Sequence, residues 1–151
     1  MGHKDLTLET GSYYLNRISK IQGKPTRRWG TMEPAEMLAH LRLLFESSLG
    51  ELHTPGNGKV PFRWMKGIVL SGVMPFPKNR LKAPKMFVTH DVDCVADEHE
   101  RLASAIERFL SLVEKEPEKI QVHGILGPLN MTQWARFHGM HLNHHLDQFT
   151  L

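Results

Sequence analysis

The sequence predicts an all-α protein built as a four-helix bundle. Four segments place apolar residues at three- and four-residue steps, which is the period of an amphipathic helix. No segment shows a convincing alternation of apolar and polar residues, the pattern of a half-buried strand. Because a chain of 151 residues is the size of one domain around one core, we expect a single domain over residues 1–151.

Caps and breakers set the expected ends of these helices, which are about 6–21, 34–49, 96–116 and 131–149. Pro34 is favoured in the first turn of the second helix, and Gly50 can end that helix. Asn130 and Gln133 have the spacing of a capping box for the last helix. Between the second and third long helices, residues 51–90 contain five prolines and form an irregular excursion with a short helix near 62–73.

Composition excludes several classes of function. The 19 Lys and Arg residues only slightly exceed the 16 Asp and Glu residues, so the charge is too mild for a nucleic-acid partner and suits small anionic ligands. The single cysteine, Cys94, rules out an internal disulfide and fits a reducing compartment. The first residues are polar, and the most apolar stretch, 67–76, is about half a membrane span. We therefore expect a cytoplasmic protein that does not bind membranes.

Histidines occupy positions that a purely structural bundle would fill with Leu or Ile. On the last helix, His141 and His145 are four residues apart, so one turn separates two imidazoles on the same side. On the second helix, His40 lies between Met37 and Leu44 on the apolar face. Three imidazoles from two helices can hold a divalent metal ion and leave a position open for water or substrate. The alternative is that these histidines are core residues bonded to carbonyls, to each other or to water.

Three polar neighbours are candidates for a catalytic base or for a supporting role. Glu36 lies one turn before His40, and His138 and Gln148 lie on the histidine stripe of the last helix. Gln148 is interpreted as orienting a ligand. His144 points about 100° away from His145, which favours outer hydrogen bonds over metal binding. Cys94 is not expected to act as a nucleophile. No role is predicted for the remaining histidines: His3, His53, His90, His99, His123.

Two segments resemble the DinB/YfiT-like superfamily. They are "RRWGTMEPAEMLAHL" in the first third and "LGPLNMTQWARFHGMHLNHHLDQF" at the end, and the likeness is greatest to an uncharacterised subgroup of that superfamily. The resemblance implies a four-helix bundle of the up-down-down-up type that holds a divalent metal, usually zinc or nickel. The implied ligands are His40, His141 and His145, the residues also favoured by their spacing. A homodimer is common among such proteins.

The resemblance also implies an activity. Characterised relatives include transferases and an isomerase that use low-molecular-weight thiols, so we expect a metal-dependent enzyme that activates a small-molecule thiol for S-transfer. A hydrolase that uses a metal-bound hydroxide is the first alternative. The second is a non-catalytic metal-binding or stress-response bundle, with Glu36 filling the fourth position. Basic residues of the excursion are expected to attract an anionic thiol or to form a solvated linker: Lys78, Arg80, Lys82, Lys85.

Overall fold

A computed structural model gives the fold of the chain and describes residues 4–23, 25–55, 66–73, 76, 78, 85–92 and 94–151. The described residues are predominantly α-helical, with a small two-stranded sheet. Five α-helices are present among them: α1 (Leu8–Ser19), α2 (Pro34–Leu49), α3 (Lys66–Ser71), α4 (Val95–Lys115) and α5 (Met131–Gln148). Short 3₁₀ turns lie at Lys20–Gly23, after α1, and at Lys85–Phe87, between α3 and α4.

The long helices begin and end close to the predicted residues because their caps are encoded locally. Gly50 takes the left-handed conformation with φ 79° and ends α2. At the start of α5, Asn130 Oδ1 accepts from the Gln133 N–H at 2.9 Å, and Gln133 Oε1 accepts from the Asn130 N–H at 3.1 Å. The capping box is therefore confirmed. The short helix predicted near 62–73 is present as α3, while residues 62–65 lie outside the described part of the chain.

A β-hairpin corrects the expectation that the chain has no strands. Strands β1 (Ile120–His123) and β2 (Gly127–Asn130) pair antiparallel, with Ile120 opposite Asn130 and His123 opposite Gly127. The sequence pattern conceals β1 because its apolar residues face outwards: Ile120 is 57% exposed and Val122 is 39% exposed, whereas His123 is buried. Alternation therefore places a polar side chain, not an apolar one, against the core.

One hydrophobic core joins the helices and the hairpin. α4 packs mainly along α2, and both α1 and α5 contact α4. The apolar stripe of α4 is buried from Leu102 to Leu110, and Phe45 of α2 packs edge-on against Phe109 at 5.5 Å between ring centroids. Within the described residues, no helix combines the length and the apolar character that crossing a membrane requires.

The N-terminal segment lies directly on α5, and Gly139 makes this close approach possible. The Leu6 N–H donates to the Ala135 carbonyl at 3.0 Å, and the Tyr14 hydroxyl donates to the Lys4 carbonyl at 2.5 Å. A Cβ atom on Gly139 would lie 3.0 Å from both Asp5 Cα and Leu6 N, and nearer still to the Lys4 carbonyl oxygen. The absence of a side chain at 139 therefore allows the segment to pack on the helix.

Gly139→Ala is expected to destabilise the protein by about 1–3 kcal/mol, because the clash involves backbone atoms that hydrogen bonds hold in place. Urea unfolding followed by circular dichroism measures the change. Gly67→Ala is the matched control, since a Cβ atom there meets nothing within 4 Å, and stability should stay the same or rise by up to about 1 kcal/mol. Equal effects of the two substitutions would contradict the close approach at Gly139.

Candidate metal centre

Three buried histidines meet between α2 and α5. His40 comes from α2, and His141 and His145 come from successive turns of α5. The Nε2 atom of His141 lies 3.2 Å from Nε2 of His40 and 3.1 Å from Nε2 of His145. The three residues are only 6–8% exposed, so the cluster is buried. The structure thus brings together the three residues that the sequence predicted as ligands.

Hydrogen bonds fix the protonation of two of these imidazoles. His40 Nδ1 lies 2.9 Å from the Phe87 carbonyl oxygen, which can only accept, so this nitrogen carries the proton. Gln148 Nε2 donates to the Trp29 carbonyl at 2.8 Å, so Gln148 Oε1 must accept the proton of His145 Nδ1 at 3.0 Å. In the neutral form of each ring, Nε2 is therefore unprotonated and its lone pair faces Nε2 of His141.

Neither neutral tautomer of His141 satisfies the cluster. With a proton on Nε2, His141 can donate fully to only one of its two neighbours, and its buried Nδ1 has no hydrogen-bond partner among the described residues. With the proton on Nδ1, three lone pairs face one another and a buried N–H is left without an acceptor. Unpaired buried polar atoms cost about 1–3 kcal/mol each, so three neutral imidazoles in this arrangement are unfavourable on their own.

A doubly protonated His141 does not solve this problem. Burial lowers the pKa of His141 well below its usual value, and the nearby His145 and His40 lower it further. Burial likewise lowers the pKa values of His40 and His145. All three imidazoles are consequently neutral at pH 7, which is the form that binds metals.

A divalent cation fits the cluster. Two nitrogens bound to one tetrahedral zinc ion at about 2.0–2.1 Å are about 3.3 Å apart, close to the separations within the cluster. The three nitrogens all lie within 4.8 Å of one another. A cation would accept all three lone pairs and remove their mutual repulsion. His40 and His145 already have the hydrogen bonds from Nδ1 to an oxygen that orient most metal-binding histidines.

Gln148 lies where an orienting residue was predicted, whereas Glu36 is engaged elsewhere. Gln148 is buried and links His145 to the backbone of Trp29. Glu36 accepts from the Glu33 N–H at 2.8 Å and pairs with His90 at 2.7 Å. These two bonds, in that order, lower the pKa of the Glu36 carboxyl. The carboxylate therefore caps α2 and does not belong to the histidine cluster.

His138 is a core residue in this structure. It stacks on Phe45 with ring centroids 3.8 Å apart, and its Nε2 lies 2.9 Å from Ser48 Oγ. Ser48 donates to the Phe45 carbonyl, so its oxygen is free to accept a proton from His138. The ring is 1% exposed, and burial lowers its pKa well below the usual value. A substrate therefore has no direct path to His138 in this conformation.

His144 and Lys78 lie beside the cluster. The His144 ring is partly exposed, 5.0 Å from His145 and 6.1 Å from Trp29 between ring centroids. Burial and the charge of Lys78 lower the pKa of His144. Lys78 Nζ lies 4.0 Å from the Trp29 ring centroid. Lys85 is exposed at the start of the 3₁₀ turn that carries Phe87, while Arg80 and Lys82 lie outside the described residues.

Sequence reasoning missed the partners that support the site. The Phe87 and Trp29 carbonyls are backbone groups, so no residue type signals them. His123 was given no role, yet it is 6% exposed and packs between Trp134 and Phe137. Its Nδ1 accepts the N–H groups of the hairpin turn at 3.1 Å. The sequence around His123 resembles an exposed loop, yet the His123 side chain is buried and caps the hairpin turn.

Comparison with known families gives one match. The family model described as "Protein of unknown function (DUF1569)" matches residues 1–151. The chain belongs to the DUF1569 family. No curated protein and no solved structure matches the chain significantly. The matched residues include both helices that carry the three histidines. The interpretation of the cluster rests on its geometry.

The buried His123 predicts a pH-dependent stability. Burial lowers its pKa to about 4, whereas a histidine in the unfolded chain titrates near 6.5. The unfolded chain thus binds more protons between these values, so the contribution of His123 is complete above about pH 6.5 and is lost as the pH falls to about 4.

His123→Asn should make this pH profile flatter, because Asn Oδ1 can accept the same turn N–H groups without titrating. Unfolding free energies from urea titrations at pH 4 to 8 are the measurement. Between pH 6.5 and 4 the wild type should lose up to about 1.4 kcal/mol per pH unit more than the variant. Parallel profiles would show that His123 is not buried in its neutral form.

Proposed function

We propose that the protein is a divalent-metal-dependent enzyme in which His40, His141 and His145 hold zinc or nickel. The observation that carries this proposal is the meeting of three buried imidazole nitrogens, with Nε2 of His141 lying 3.2 Å from Nε2 of His40 and 3.1 Å from Nε2 of His145. Neutral imidazoles leave these lone pairs facing one another, whereas a cation would accept them. The hydrogen bonds from Phe87 and Gln148 support the proposal because they hold two ligands in the tautomer that binds through Nε2.

A group of three histidines favours catalysis over a structural role. Among the described residues, the metal-ligating group has three members and includes no fourth His, Cys, Asp or Glu. Structural zinc sites almost always use four protein ligands, whereas catalytic sites use three and leave a position for water or substrate. Glu36, the fourth ligand of the non-catalytic alternative, is held by Glu33 and His90.

The reaction we propose is transfer of a small-molecule thiol. A zinc or nickel ion bound here would supply charge that lowers the pKa of a coordinated thiol and favours the nucleophilic thiolate. The thiol proton leaves to solvent, since Glu36 and His138 are both engaged in other hydrogen bonds. The sulfur then forms a bond to an electrophilic carbon of the second substrate, and the leaving group departs with the pair of electrons from the broken bond.

The same proposal includes a distant relationship to the DinB/YfiT-like superfamily, and with it a four-helix bundle of the up-down-down-up type. The order of elements supports it, because one ligand lies on the second long helix and two lie four residues apart on the last. In this scheme α1, α2, α4 and α5 are the bundle helices, and α3 with the hairpin are additions between them.

Metal content by elemental analysis tests the site. We expect near-stoichiometric zinc or nickel in the wild type after reconstitution, and a loss of affinity of at least about 100-fold in His40→Ala and His141→Ala. His144→Ala is the matched control, because it removes a neighbouring imidazole that is not part of the cluster. Circular dichroism shows whether each variant is folded. A wild type that binds no metal, or ligand variants that still bind it stoichiometrically, would refute the proposal.

Metal-loaded protein then separates the activities. Thiol transfer predicts metal-dependent consumption of a low-molecular-weight thiol in the presence of an alkyl or aryl halide acceptor, and no turnover in His141→Ala. Hydrolysis of esters or amides without any thiol would instead support the hydrolase alternative, in which the same histidines activate water. Stoichiometric metal with neither activity, and a large loss of stability on chelation, would indicate a structural ion.

A further inference from the structure

An aromatic surface borders the histidine cluster and reaches solvent. We call it the rim and define it by Trp29, Phe76 and His144. The Phe76 ring lies 5.8 Å from the His141 ring and 5.7 Å from the His144 ring, and the Trp29 ring lies 6.1 Å from His144. All three rim residues are partly exposed, whereas the metal-binding histidines are buried. A ligand that enters from the rim side meets these rings beside the cluster.

Two cations lie against the rim and have no negative partner within the described part of the chain. Lys78 Nζ is 4.0 Å and Arg28 Cζ is 5.6 Å from the Trp29 ring centroid, and both residues are exposed. Neither forms an ion pair with any residue that the structure describes. The other described arginines all do so: Arg17, Arg27, Arg42, Arg101, Arg108, Arg136. The rim thus carries positive charge that no carboxylate of the described residues pairs with.

Trp29 also presents an unused hydrogen-bond donor. Its indole Nε1 is buried and has no hydrogen-bond partner among the described residues. Its carbonyl accepts from Gln148, which also holds His145, so Trp29 is joined to a metal-binding histidine through one side chain. A buried N–H without an acceptor is unfavourable, and a ligand oxygen can remove that cost.

We infer that the rim binds the anionic oxygen group of the substrate, a carboxylate, and so selects thiols that carry one. This inference rests on the proposed function, because the thiol end of the same molecule would reach the histidine cluster. Arg28 and Lys78 supply the charge beside the Trp29 ring, and the Trp29 N–H is a further donor that has no partner among the described residues. Thiols with a neutral hydroxyl in place of the carboxylate keep the sulfur chemistry and lose the interaction with the rim.

Binding of thiols to the cobalt(II)-loaded protein tests the inference without requiring turnover, because sulfur ligation changes the visible absorption of cobalt. The probes are ω-mercaptocarboxylates from mercaptoacetate to 6-mercaptohexanoate, each paired with the mercapto-alcohol of equal length. We expect at least one acid to bind about tenfold more tightly than its alcohol. Arg28→Gln and Lys78→Met should each reduce that preference about three- to tenfold and leave alcohol binding unchanged. The preference should shrink in 0.5 M salt.

Arg27→Gln is the control, because Arg27 is adjacent in sequence but pairs with Glu33. It should keep the full preference for acids. Equal affinities for every acid and alcohol pair, or a preference that survives both rim substitutions, would overturn the inference and leave the metal site intact. Failure of the wild type to bind cobalt would overturn the proposed function and the rim with it.

Discussion

The structure depends most on the contact between α2 and α5, where three imidazole nitrogens converge in a nearly dry environment. Burial keeps the histidines neutral, and their other hydrogen bonds fix the direction of two lone pairs. A hydrophobic contact at this place would need only Leu or Ile. The protein instead accepts an arrangement that is unfavourable without a cation, and that cost is the physical argument for a binding site.

The elements around this contact act as supports for the cluster. The 3₁₀ turn at Lys85–Phe87 contributes a carbonyl to His40, and the segment before α2 contributes the Trp29 carbonyl to Gln148. The N-terminal segment and the hairpin hold α5 from other sides, through Gly139 and Trp134 respectively. Metal ligands held by rigid helices and oriented by hydrogen bonds change little on binding, which lowers the entropic cost of capturing an ion.

Much of this arrangement is predictable from the sequence, because helical periodicity and caps are local. The ends of α2 and α5 follow from Pro34, Gly50 and the Asn130 capping box. The histidine cluster follows from imidazoles at core positions of two helices.

What the sequence does not reveal depends on long-range contacts. His138 shares the histidine stripe of α5, yet Phe45 and Ser48 on another helix decide that it is a core residue. Glu36 shares the face of His40, yet the backbone of Glu33 and the side chain of His90 engage it. The positive charge at the rim is likewise visible only once Arg28 and Lys78 are placed over one indole. The strand β1 is hidden because its apolar residues face outwards.

X-ray absorption spectroscopy of the zinc- or nickel-loaded protein tests the central claim most directly, because it reports the atoms bound to the metal. Our account predicts three nitrogen ligands at about 2.0–2.1 Å with the outer-shell scattering of imidazole, and one or more additional light-atom ligands from solvent. Addition of a thiol should replace a light atom with sulfur at about 2.3 Å. A spectrum without imidazole scattering, or one unchanged in His141→Ala, would contradict the three-histidine centre.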